Sequence, residues 1–181
     1  NRSNISMEDL VEILNFHHIS LYDFFISVDV KYLKKKIIQA FLDHDVSRLS
    51  EYKKLINSSE YDLEFKLMFA ILNSTTDQLT NEFKEKAQGQ LLQIGKLNED
   101  SLFNINLLIP IIDFQSSQVL VNYLLKSDEI QEDNCLLIRL FYNAMLSFLG
   151  RCYQEPDIAE MKKGLKFLRK RSVTSSLYLE N

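Results

Sequence analysis

Apolar residues along this chain recur three or four positions apart, the period of a helix face, and strand-like alternation is scarce. The strongest stretch runs from Asp133 to Lys170. Its first part, CLLIRLFYNAMLSFLGRCY, is apolar nearly all round, which predicts a helix buried on most sides. Arg139 and Asn143 are its main polar interruptions, and a separation of four puts them on one face. After the corner QEPD, a second helix is predicted from Pro156 to about Lys170. Pro156 suits its first turn, where an N–H would lack an intrahelical partner anyway. Ile158, Ala159, Met161, Leu165 and Leu168 take one side of this helix, and Lys162, Lys163, Lys166 and Arg169 the other.

Earlier segments repeat the alternation. Ser6 with Asp9 predicts a capped helix start, with Leu10, Val11, Ile13 and Leu14 as its stripe and an end near His17–His18. Ser20 with Asp23 repeats the cap ahead of Leu21, Phe24 and Phe25. More apolar helices are predicted at Val28–Leu42, Tyr61–Asn73, Asp100–Phe114 and Leu136–Cys152, and more polar ones at Ser47–Asn57, Thr76–Lys96, Gln115–Ser127 and Pro156–Lys170. Pro110 is expected to kink the third apolar helix by removing the amide that would pair with the Asn106 carbonyl. Lys34, Lys35 and Lys36 read as a solvated face. An inner and an outer helix thus recur roughly every 35–40 residues, the period of helix-pair solenoids. The expected fold is all-α, a tetratricopeptide-like helical-repeat solenoid with a concave face for an extended ligand. A plain antiparallel bundle is the alternative.

Composition narrows the function. Four Gly and two Pro among 181 residues favour long helices over a many-turned sandwich. A net charge of −4 leaves no chain-wide footprint for nucleic acid. Cys135 and Cys152 lie about 25 Å apart on one predicted helix, so they do not pair with each other. A reducing, intracellular setting follows, and cytoplasmic location is expected. No apolar run reaches 18 residues without a charge, so no membrane partner is expected.

Candidate chemistry points to binding. There is no Gly-rich phosphate loop, no H-E-x-x-H and no Cys/His set at metal spacing, so neither an enzyme, a cofactor nor a metal is expected. The polar residues on apolar helices stand out instead: Asn104, Asn106, Arg139 and Asn143, with Asn122 on an outer helix. An Asn amide both donates and accepts, which matches a peptide main chain of any sequence. Arg139, one turn before Asn143, suits a carboxylate or a backbone carbonyl. The opposing reading is that these side chains bond neighbouring helices.

The opening, with Ile5, Ser6, Leu10, Ile13 and Leu14 followed by Ile19, Ser20, Asp23 and Phe24, resembles the end of a Cro/repressor-type helix-turn-helix domain. The segments LFNINLLIPIID, LVNYLL and LLIRLFYNAMLSFL are similar to the helical-repeat half of the Rgg/GadR/MutR transcription regulators. The resemblance implies residues 1–27 as the remnant of a DNA-binding domain and 28–181 as a ligand-sensing and dimerising domain. It also implies a short hydrophobic signalling peptide as ligand, promoter DNA bound through a preceding domain, and a homodimer. Leu177, Tyr178 and Leu179, with the last helices, are candidates for the dimer surface. The recognition helix is absent, so the resemblance assigns no DNA-contacting residue. The alternative function is a protein–protein adaptor without a DNA-binding role.

Overall fold

A computed structural model describes residues 5–19, 21–56, 61–92, 97–126, 134–155 and 157–170, without the side chains of 21–31, 167 and 170. Among these residues the chain is all-helical: α1 (Met7–Phe16), α2 (Leu21–Leu42), α3 (Val46–Ile56), α4 (Asp62–Leu72), a 3-10 turn (Thr76–Gln78), α5 (Asn81–Leu91), α6 (Glu99–Leu108), α7 (Phe114–Lys126), α8 (Cys135–Gln154) and α9 (Ile158–Lys170).

Local chemistry sets the ends of these helices. Ser6 and Asp9 form the expected capping box, with Asp9 N–H donating to Ser6 Oγ at 3.0 Å and Ser6 N–H to Asp9 at 3.3 Å. Asn98 and Ser101 make a second box at α6. Aspartates open three others: Asp45 accepts from Arg48 N–H, Asp113 from Ser116 N–H, and Asp157 from Glu160 N–H. In a chain so poor in glycine, side-chain-bearing residues supply the left-handed turns that end helices. His18, His44 and Ser74 have φ of 56°, 56° and 53°. After each, the next N–H reaches back five residues: Ile19 to Leu14 O, Asp45 to Ala40 O, Thr75 to Ala70 O, at 2.8, 2.9 and 2.8 Å. That is the Schellman closure, which satisfies carbonyls the helix leaves open.

Several expected boundaries move. The short helix at Leu21–Phe25 and the one from Val28 are one continuous α2 of 22 residues, so the junction at 27/28 falls inside a helix. Thr76–Lys96 is not one helix: Leu79 is extended and Thr80 caps a new start by accepting from Phe83 N–H at 3.3 Å. Pro110 ends α6 instead of kinking it. Ile111 and Ile112 both turn their N–H back to Leu108 O, and Asp113 restarts the chain as α7. Asp157 caps α9, whose described residues begin at Ile158. Ser20, Pro156 and the tail residues Leu177–Leu179 lie outside the described residues. The part-exposed lysines of the 34–36 run also make ion pairs: Lys34 with Asp100 at 2.8 Å and Lys35 with Glu99 at 3.2 Å, tying α2 to the start of α6.

The core is one cluster centred on α6 and α8. α6 packs against α4, α5 and α8; α8 packs against α2, α6, α7 and α9. Phe41 meets Phe103 edge-on at 5.9 Å, and Phe114 stacks on Phe148 at 5.9 Å. The long apolar helix α8 thus also touches α2. Among the described helices, α8 alone is long and apolar enough to cross a membrane. Here it is the packing hub, with Ala144, Met145 and Leu140 wholly buried.

Candidate functional face on helix α8

One side of α8 remains open. Leu137, Ile138, Leu140, Phe141, Ala144, Met145, Phe148 and Cys152 point into the core. A helix turns 100° per residue, so the opposite side collects Arg139, Tyr142, Asn143, Leu146, Gly150 and Tyr153. Leu146 is 61% and Tyr153 80% exposed, while Arg139, Tyr142 and Asn143 are half-buried. The face thus mixes apolar area with two hydrogen-bonding side chains one turn apart.

The two polar groups are held differently. Arg139 Nη2 donates to Asp43 Oδ1 at 2.5 Å, beyond the C-terminal end of α2. This pair is part-exposed, and the other guanidinium N–H groups bond no described residue. Asn143 Nδ2 donates to Asn106 Oδ1 at 2.9 Å. Asn106 is 2% exposed and fully used: its Nδ2 donates to Leu102 O at 2.7 Å and Leu140 O at 2.9 Å. Asn106 is therefore a bolt between α6 and α8, with no hydrogen-bonding capacity left on its amide N–H groups.

The remaining sequence candidates lie elsewhere. Asn104 donates to Leu91 O at 3.2 Å and so caps the last turn of α5. Asn122, on α7, accepts from Lys163 of α9. The five residues read from sequence do not form one row of free amides. Arg139, Asn143 and Asn106 come together, with Asn106 behind the other two. Sequence reasoning passed over Tyr142, Leu146 and Tyr153, which lie at i+3, i+7 and i+14 from Arg139 on the same face, because the helix is too apolar to show which side is wet.

A second feature lies on the outer side of α9. Lys162, Leu165, Lys166 and Arg169 line an open notch of about 400 Å³. Lys163 pairs with Glu160 at 3.4 Å, whereas the three cations of the notch make no ion pair among the described residues. No cluster of three metal-binding side chains occurs among the described residues. In comparisons with known proteins, no family model, no curated protein and no solved structure matches the chain.

Proposed function

We propose that this chain is the peptide-sensing and dimerising part of a cytoplasmic transcription regulator, as its resemblance to the Rgg/GadR/MutR proteins implies. The ligand is a short hydrophobic peptide lying along the open face of α8. Leu146, Tyr142 and Tyr153 give its side chains apolar contact, and Asn143 and Arg139 hold its main chain. The observation that carries this reading is the mixture on that face: exposed Leu146 and Tyr153 beside an anchored amide and a guanidinium. A solvated face needs no such apolar area, and a dry packing face would not hold Arg139 and Asn143 at its edge.

Peptide binding matters to DNA only through a difference in affinity between two arrangements of the dimer. The test is calorimetric titration of short apolar peptides into the wild type, Asn143→Ala and Leu146→Glu. Leu146 is exposed, and Asn143→Ala leaves the Asn106 bonds to Leu102 and Leu140 in place, so the variants should fold. Each should lose about tenfold or more in affinity, the worth of roughly 1.4 kcal/mol. Equal affinity in all three proteins removes the α8 face from the site. Light scattering that gives a monomer at micromolar concentration counts against the dimer.

A further inference from the structure

Asn143 has two ends, and the packing behind it decides which one a ligand meets. The carbonyl oxygens of Leu102 and Leu140 can only accept. They fix Asn106 with its Nδ2 toward them and its Oδ1 turned toward Asn143. Asn143 must then present its own Nδ2 to Asn106, which turns its Oδ1 the other way. That oxygen accepts from no described residue. No buried side-chain polar atom among the described residues lacks a partner, so it lies on the accessible side of a half-buried residue. One turn earlier Arg139 can only donate.

We infer that Asn106 is a positioning residue that locks Asn143 as a hydrogen-bond acceptor, so that the α8 face selects a ligand offering a main-chain N–H to Asn143 and a carbonyl to Arg139. This rests on the peptide reading above and adds a polarity to it. An amide free to flip would serve either pole of a peptide bond. The locked one turns its oxygen to the open side, an acceptor at Asn143 beside a donor at Arg139, and keeps only its second Nδ2 hydrogen as a donor of its own. Asp43 already balances the charge of Arg139, so the guanidinium suits a neutral carbonyl and does not demand a carboxylate. A peptide whose critical nitrogen is a proline or is methylated binds about tenfold more weakly, whatever its side chains.

The experiment has one arm without ligand and one with it. In ¹⁵N-labelled protein the Asn143 side-chain amide should exchange with solvent about tenfold more slowly than freely exposed Asn amides. Asn106→Leu should remove that protection while the fold, read by circular dichroism, persists. An Asn143 amide that exchanges freely in the wild type overturns the positioning role, whether or not a peptide binds. In the second arm, the tightest of a set of short peptides built from Leu, Ile, Val and Phe is N-methylated one residue at a time. One position should cost about tenfold in wild type, and Asn143→Ala should abolish that one penalty and leave the others unchanged. A penalty that survives Asn143→Ala overturns the assignment of the N–H to Asn143. If the amide is protected yet no peptide of the set binds, the positioning role stands, and both the ligand polarity and the peptide reading fall.

Discussion

The guanidinium of Arg151, near the end of α8, donates through Nη1 to the carbonyl of Ile109 at 2.8 Å, just past the end of α6. The same nitrogen also bonds the Ile112 carbonyl. Pro110 stops the helix, and the carbonyls around it have lost their amide partners. A cation at a helix C-terminus is favourable as well. Arg151→Met keeps the aliphatic stem and removes the donors. It should cost about 1.5–3 kcal/mol, the range for hydrogen bonds from a charged group, in urea unfolding at unchanged m-value.

Asp113 gives a pH dependence with a definite sign. It accepts from Ser116 N–H at 2.8 Å and Ser116 Oγ–H at 2.6 Å, and these bonds hold its carboxyl below the ordinary value of 3.8. A carboxyl with a lowered folded pKa contributes stability that is complete above the unfolded value and is lost as pH falls through the folded one. Asp113→Ala should therefore cost about 1 kcal/mol at pH 7, as for other N-caps, and progressively less below pH 3.8.

The two thiols should separate cleanly by reactivity. Cys152 is fully buried, and that burial, aided by Asp157 and Glu160, pushes its pKa up to about 11. Only the thiolate attacks a disulfide reagent, and near pH 8 roughly one Cys152 in a thousand carries it. Cys135 is half-buried. Labelling at pH 8 should count one thiol in the native protein and two in urea.

Glycines in the helices offer a graded test of packing. Nothing lies within 4 Å of a Cβ built on Gly89 or Gly150, so Ala at either should stabilise by about 0.5–1 kcal/mol. At Gly164 the new Cβ would meet Leu149 Cδ2 at 3.1 Å and Met145 Cε at 3.6 Å, where α9 crosses α8 closely. Gly164→Ala should gain less than the other two in thermal unfolding, because Leu149 must move to admit it.

The Arg139–Asp43 pair should prove weak. Asp43 is 47% exposed, and a part-solvated ion pair is screened. A double-mutant cycle on Arg139→Ala and Asp43→Ala should give under about 1 kcal/mol of coupling, falling with added salt. The pair would then orient the guanidinium more than it stabilises the fold.

Elements with a clear cap or a clear stripe were legible in the sequence. Ser6 with Asp9 announced α1, and the run apolar nearly all round announced α8 as a core helix. Where the sequence misled, a local signal met a tertiary competitor. Pro110 reads as a kink because nothing nearby shows that Arg151, forty-one residues later, will take up the stranded carbonyls. The partners of Lys34 and Lys35 were not legible because Asp100 and Glu99 are remote in sequence. Asn106 and Asn143 stand out as polar residues on apolar helices, but sequence cannot tell two amides that face a ligand from two that face each other. Thr80 was missed as a boundary because Leu79 and Phe83 continue a helical spacing across it.

The buried amide bridge also bears on how α6 and α8 can move. Two greasy helices have several near-equivalent ways to lie together, one turn up or one turn down, because oily contacts are interchangeable. Sliding by a turn would strand the side chain of Asn106 among Leu and Ile with nothing to bond. The pair is therefore keyed to a single alignment, much as a lone asparagine sets register in a coiled coil. Any signal that passes through this centre must pivot or tighten the two rods about that key, for they are not free to slip past one another.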